Sequence, residues 1–233
     1  MSVARVKAFL VHVYTASTMI ILLISSYLLL HDQLNLALFV MLLAVAIDSS
    51  DGTLARRFHV KEVYPELDGR RLDDIVDYVS YVFLPVVFML KAQMLSEPVV
   101  LFGSLPLLAS AFGFSRVDAK LDDEGFFVGF PSYWNVIVAY LYLLSTPPWL
   151  TTLVIVVLSV MVFIPTRYLY ITRMHKHRWL HIGATFICGM ALLAGLFVQD
   201  PTRRLLLYFS LTYPVYYTIY SFVLDRRARK AVG

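Results

Sequence analysis

Apolar residues in this chain come in long blocks, with polar residues confined to the gaps between them. Eight blocks stand out: Leu10 to Leu30, Leu34 to Ala55, Leu72 to Met94, Val99 to Phe114, Phe130 to Ser145, Trp149 to Tyr168, Leu180 to Val198 and Leu205 to Leu224. A stretch of roughly 17–25 apolar residues is long enough to cross a bilayer as a helix. The pattern therefore predicts an all-α, polytopic transmembrane bundle of about eight spans, forming a single membrane domain over residues 1–233. The fifth block is the weakest, since its apolar part is short and Pro147 and Pro148 divide it from the sixth. The opening MSVARVK and the apolar run after it imitate a secretory signal. The run continues to Leu30 with no small-x-small cleavage site, so it is expected to remain as a first span.

Composition agrees with that pattern. The chain has 233 residues, is 59% hydrophobic and only 15% charged, and has a mean hydropathy of +0.72. A soluble globule of that make-up would lack the polar surface to cover its core. Cys188 is the only cysteine, so there is no intrachain disulfide. The net charge of +4 does not point to nucleic acid, because in a membrane chain the placement of Lys and Arg matters more than their sum. With both termini cytoplasmic, all of the 20 Lys and Arg residues except Lys91, Arg203 and Arg204 fall inside, in agreement with the positive-inside rule. The outside connections are short, and the inside ones from Arg56 to Arg71 and from Ser115 to Gly129 are long and polar. Chemistry is expected on the cytoplasmic side.

The passage from Asp48 to Asp77 changes the picture from a membrane protein to a membrane enzyme. It reads Asp48-Ser-Ser-Asp51-Gly52-Thr-Leu-Ala55-Arg56, then a spacer, then Gly69-Arg-Arg-Leu-Asp73-Asp-Ile-Val-Asp77. Residues three or four apart share a helix face, so Asp48 with Asp51 and Asp73 with Asp77 each form a carboxylate pair near the cytoplasmic end of a span. Each carboxylate in a membrane helix costs about 2.5–3.5 kcal/mol on insertion scales unless it is paired, solvated or metal-bound. Hard oxygen donors with no Cys or His set nearby suit Mg2+, Mn2+ or Ca2+. Two such ions between two carboxylate pairs would suit in-line displacement at a pyrophosphate. Gly52, Ala55 and Gly69 would let a nucleotide approach the backbone, and Arg56 could pair with a phosphate. Taken singly, any of these aspartates could be a helix cap or a solvated charge balancing Arg56, Arg57, Arg70 or Arg71.

The order of these residues resembles the signature of the CDP-alcohol phosphotransferase family, Asp-x-x-Asp-Gly-x-x-Ala-Arg, a spacer, then Gly-x-x-x-Asp-x-x-x-Asp. Every fixed position is present, although the spacer, residues 57–68, is longer than the family's common form. The resemblance implies that Asp48, Asp51, Asp73 and Asp77 bind two divalent cations, Mn2+ or Mg2+. It implies that Asp77 is also the catalytic base, and that Asp51, Gly52, Ala55, Arg56, Gly69 and Asp73 form the CDP site. It implies a catalytic core of about 34–170, a homodimer, and a place in the bacterial inner membrane with the active site facing the cytoplasm.

Two further stretches, DGRRLDDIVDYVSYVFLP (68–85) and GFPSYWNV (129–136), resemble the bacterial phosphatidylcholine-forming branch of that family. That likeness implies CDP-diacylglycerol and choline as substrates and phosphatidylcholine and CMP as products. A quaternary ammonium donates no hydrogen bond and is best held by aromatic faces. Tyr78, Tyr81 and Trp134, with Glu124 for charge, are the choline-binding candidates; Phe126, Phe127, Phe130 and Tyr133 lie on the same side. Asp118, Asp122 and Asp123 extend the acidic run around Glu124. Arg116, Lys120, Arg167 and Arg173 could instead form a cationic pocket for glycerol phosphate or inositol phosphate, and serine is a further acceptor to weigh. His175, His177 and His181 include an i, i+4 pair, read as a basic helix cap rather than a metal site. A cation transporter is the rival from another class, since membrane carboxylates also bind and release ions. A phosphatase acting on the CDP-lipid is a third reading.

Overall fold

The structure is a computed structural model and describes residues 2–121, 125–171 and 178–232. Among the described residues the chain is mainly helical, and each of the eight predicted blocks is helical over most of its length. The helices are α1 (Val3–Leu30), α2 (Leu34–Arg57), the single turn α3 (Val60–Val63), α4 (Gly69–Asp77), α5 (Leu84–Lys91), α6 (Val99–Ser115), α7 (Trp134–Leu143), α8 (Pro148–Phe163), α9 (Arg178–Gly195) and α10 (Thr202–Val232). Three of them, α1, α2 and α9, are long and apolar enough by length and composition to cross a membrane.

The third block is one continuous helical run with a widened turn. Between α4 and α5, Tyr78–Phe83 forms a π-helical segment. Pro85 lies in the first turn of α5 and has no N–H to return to the Tyr81 carbonyl, which favours a wider hydrogen-bond ring just before it. Two blocks fall furthest short of the expected bounds, while α1 and α10 extend beyond theirs. Only Trp134–Leu143 of the fifth is helical. The sixth stops at Phe163, because Ile164 is extended and Pro165 follows. Tyr168, expected at the end of that span, lies instead in a small antiparallel sheet made of β1 (Lys120–Leu121), β2 (Phe126–Val128) and β3 (Arg167–Leu169), in that order. The register pairs Phe127 with Tyr168.

The chain divides into two compact units. Unit 1 comprises residues 1–92 with 134–136, and unit 2 comprises residues 93–133 with 137–233. In unit 1, α1 lies along α2 and α4, and its buried face runs through Ala8, Val11, His12, Thr15, Thr18, Leu22, Ser25 and Leu29, at the helical repeat. At one end of the unit Arg5 pairs with Glu66 at 2.6 Å, and at the other Lys91 pairs with Asp32 at 2.7 Å. The 31–33 turn and the end of α5 thus share one end of the unit.

In unit 2 the core of the sheet region is aromatic: Tyr168, Leu169 and Tyr217 are buried, with Phe126, Phe127, Tyr213, Tyr220 and Phe222 packed around them. Gly129 takes φ +87, and a Cβ there would run into the carbonyl oxygen of Val162, so the GFPSYWNV segment opens on a residue that only glycine fits.

Candidate active site

All four predicted aspartates come together in unit 1. Asp48, Asp51 and Asp73 each offer a carboxylate oxygen within 4.8 Å of the other two, and Asp73, Asp74 and Asp77 do the same. The two groups share Asp73. Helix periodicity explains how: Asp48 and Asp51 lie one turn apart on α2, Asp73 and Asp77 one turn apart on α4, and the two helices face each other across the site. Asp74 is the addition that the sequence reading did not anticipate. Asp51 is buried and the other aspartates are half-buried. Donors of this kind, all carboxylate and in two groups with one member in common, fit hard divalent cations.

Two of the carboxylates are held by neighbours. Thr15 of α1 donates its hydroxyl to Asp51 Oδ2 at 2.8 Å, in a buried hydrogen bond. Tyr81, on the widened turn, donates to Asp48 Oδ2 at 2.6 Å. Such bonds to an ionised acceptor are short and strong, and they fix which oxygen remains for a ligand. One residue earlier on each helix than Thr15 and Asp51, Tyr14 and Ser50 share a hydrogen bond of 2.9 Å. The participation of α1 was missed from sequence, although His12, Thr15, Thr18 and Ser25 repeat at helical spacing as a polar stripe on an apolar span.

The glycines of the motif serve different neighbours. A Cβ at Gly52 would meet only Arg56 Nη1, at an ordinary 3.4 Å, so the fold itself does not demand glycine there. A Cβ at Gly69 would come within 3.0 Å of His12 Cε1, so this glycine lets α1 pack closely on the start of α4. Ala55 is half-buried against the cluster of Ala8, Val11 and Val60. Arg56 is exposed and donates to Thr53 Oγ1 at 3.1 Å. Asp68 caps α4, accepting from the backbone N–H of Arg70 and Arg71.

The choline candidates are spread differently. Tyr78 is half-buried and directly follows Asp77, Tyr81 is buried with its hydroxyl on Asp48, and Trp134 is fully buried; all three belong to unit 1. Glu124 lies outside the described residues, as do Asp122, Asp123, Arg173, His175 and His177. In unit 2, Arg116 and Asp118 form a two-pronged ion pair at 2.8 and 3.0 Å. The hydrogen bond from the Arg116 guanidinium holds the Asp118 carboxyl below the usual range. Phe127 stacks on Tyr170 at 4.3 Å, and His181 meets the Tyr213 hydroxyl through Nδ1 at 3.0 Å.

The sequence profile of the CDP-alcohol phosphatidyltransferase family matches residues 10–119, a range that takes in α1 as well as the aspartates. The chain is 34% identical over 235 residues to the phosphatidylcholine synthase of Borreliella burgdorferi, covering 96% of this chain and 97% of that one. It belongs to the CDP-alcohol phosphatidyltransferase family. The phosphatidylcholine synthase of Pseudomonas aeruginosa is 36% identical over 184 residues, 78% of this chain and 77% of that one. That of Legionella pneumophila is 42% identical over 169 residues, 72% of this chain and 66% of that one. This CDP-alcohol phosphatidyltransferase is accordingly a membrane enzyme of phospholipid synthesis.

Proposed function

We propose that the enzyme transfers the phosphatidyl group of CDP-diacylglycerol to choline, releasing CMP. The observation that carries the chemistry is the pair of carboxylate groups with Asp73 in common. Two divalent cations, Mn2+ or Mg2+, held by Asp48, Asp51, Asp73 and Asp77, would supply charge neutralisation at the pyrophosphate and at the departing CMP. Asp77 takes the hydroxyl proton of choline as that oxygen attacks the phosphorus bearing diacylglycerol. The bond from that phosphorus to the CMP oxygen breaks, and no covalent enzyme intermediate forms. Thr15 and Tyr81 keep Asp51 and Asp48 from turning away.

Gly52 and exposed Arg56 face the nucleotide, with Ala55, Gly69, Asp51 and Asp73 completing the CDP site. Gly52 supports this reading, because its missing side chain is not explained by any protein neighbour. Choline is assigned to Tyr78 and Tyr81, which follow Asp77 on the same helical run, with Trp134 a further candidate in the same unit; Glu124 lies outside the described residues. The acceptor choice follows the names of the three relatives; serine, glycerol phosphate and inositol phosphate would keep the same chemistry. Against a cation transporter stands the family match, whose members are transferases.

Eight spans with both termini inside, an active site open to the cytoplasm of the bacterial inner membrane, and one membrane domain with its core at about 34–170 plus α1 complete the proposal. So does a homodimer, for which Gly189 leaves an open face on α9; Gly195 is already used within the chain, against Leu207. The test is CMP release by the purified enzyme with CDP-diacylglycerol and Mn2+, comparing choline, serine, glycerol phosphate, inositol phosphate and no acceptor. Choline-dependent release that is lost in Asp77→Asn supports the reading. Release without any acceptor would replace the transferase with a hydrolase.

A further inference from the structure

One polar group on the inner face of α1 stands apart from its neighbours. Thr15 bonds Asp51, and Ser25 donates to the Ala37 carbonyl at 2.7 Å. His12, 5% exposed, has a buried Nε2 with no hydrogen-bond partner. A buried polar atom without a partner costs free energy and calls for an explanation. The ring lies against Gly69, with Cε1 and Nδ1 the atoms nearest the position that a Cβ would take there.

The position of His12 says what it can serve. On α1 it is one turn before Thr15, which holds Asp51; on α4 its neighbour Gly69 is one turn before Asp73. The His12–Gly69 contact therefore lies about 5 Å, roughly one helical turn, to the same side of the carboxylates along both helices. His12 belongs to neither carboxylate group, so it is not a ligand of an ion held there. A quaternary ammonium has nothing to accept from or donate to an imidazole. What lies about one turn from a metal-held pyrophosphate is the rest of the nucleotide, its own phosphate oxygens and the ribose hydroxyls.

We propose that His12 is a nucleotide-binding residue, its Nε2 hydrogen-bonding an oxygen of the CDP moiety beside Gly69. This rests on the carboxylate site being where CDP-diacylglycerol binds, and it deepens that reading by adding α1 to the nucleotide pocket. Such a bond serves substrate and leaving CMP alike, so it governs affinity rather than the chemical step.

The test is direct calorimetric binding of CMP and dCMP to the detergent-purified full chain in Mg2+, together with steady-state kinetics, for the parent, His12→Phe and His12→Gln. Phe keeps a ring against Gly69 and loses the nitrogen; Gln restores a polar group. In His12→Phe, CMP binding is expected to weaken, and the KM for CDP-diacylglycerol to rise, about tenfold. The KM for choline and kcat should stay within about twofold, with partial recovery in His12→Gln. A parent preference for CMP over dCMP that vanishes in His12→Phe identifies the ribose 2′-hydroxyl as the partner; equal weakening of both places the partner on another oxygen of the nucleotide. CMP binding and KM within twofold of the parent in His12→Phe would overturn the proposal and leave His12 a structural residue. Should His12→Phe fail to fold, judged by its melting curve, His12→Leu, which also lacks a hydrogen-bonding nitrogen, decides on the same two constants. Failure of the transferase reading is seen separately, as choline-independent CMP release, while the CMP-binding measurement still judges His12.

Discussion

The two units bury polar side chains for different ends. In unit 1 the buried hydroxyls of Thr15 and Tyr81 serve carboxylates that carry charge inside an apolar shell. In unit 2 they serve the backbone and one another. Tyr217 donates to the Leu169 carbonyl at 2.9 Å, the Ser221 hydroxyl accepts from the Leu169 N–H at 3.2 Å, and Ser110 and Ser132 share a bond of 2.9 Å. These bonds tie unit 2 together as a scaffold, although the buried Ser159 Oγ there has no partner among the described residues. Unit 1 gathers acids close together, and a bound cation would relieve their mutual repulsion. Loss of a polar group should cost activity in unit 1 and stability in unit 2.

The largest expected effect is at the centre of the acidic cluster. Asp73, common to both carboxylate groups, and Asp77, the proposed base, should each lose about 10²–10⁴ of kcat as the Asn variants. Neither variant should melt lower in the absence of divalent ions, because removing one crowded charge relieves repulsion. Addition of Mn2+ should then raise the melting temperature of the parent more than that of Asp73→Asn. A variant that keeps parental CMP release would remove the carboxylates from the chemistry.

The comparison sharpens with one hydroxyl from each unit. Partners that orient metal-binding carboxylates typically account for 10–100-fold in metal affinity or activity. Thr15→Val and Tyr81→Phe should fall in that range and shift the Mn2+ concentration for half-maximal rate upward, with Thr15→Ser restoring most of the loss. Tyr217→Phe should leave the Mn2+ dependence unchanged and destabilise the fold by about 1–2 kcal/mol, read as an earlier unfolding midpoint. Equal effects of Tyr81→Phe and Tyr217→Phe on both readouts would dissolve the distinction between the units.

Glycines offer a third contrast. Gly52→Ala should melt no lower than the parent, since Ala is favoured in a helix and the added methyl meets only Arg56, yet it should raise the KM for CDP-diacylglycerol. Gly129→Ala should do the reverse, because φ +87 and the Val162 carbonyl forbid the methyl: lower stability, with KM unchanged in the folded fraction.

Much of this was legible in the chain itself, and what was not has identifiable causes. The aspartates could be paired from spacing alone, because three- and four-residue intervals fix a helix face whatever packs against it. The helical positions followed from apolar run length. Run length could not show that α8 yields to Ile164 and Pro165, or that Tyr168 pairs with Phe127 in a sheet of very short strands, too short to impose an alternating pattern. Tyr81 was read as a wall for choline, and its hydroxyl was invisible as an Asp48 partner because that bond depends on how α2 meets the widened turn before Pro85. The first span looked ordinary because isolated His, Thr and Ser residues cost an apolar helix little. The partners of Thr15 and Ser25, Asp51 and the backbone of α2, emerge only once α1 is laid along α2.

The smallest expected effect is at the end of unit 1, where Arg5 and Glu66 meet on the exposed surface. The Arg5 hydrogen bond holds the Glu66 carboxyl below its ordinary value. A carboxyl depressed in the folded state adds stability above its unfolded value, and that contribution fades as pH falls through the folded one. Both partners are well exposed, so solvent and salt screen the pair and the contribution is small. Glu66→Gln should therefore lower the melting temperature slightly at neutral pH and low salt, with the difference closing in acid and in high salt, and should leave CMP release untouched. A loss of activity in Glu66→Gln would show that the 58–68 segment does more than tie α1 to α4, and would extend the working part of unit 1 to its surface.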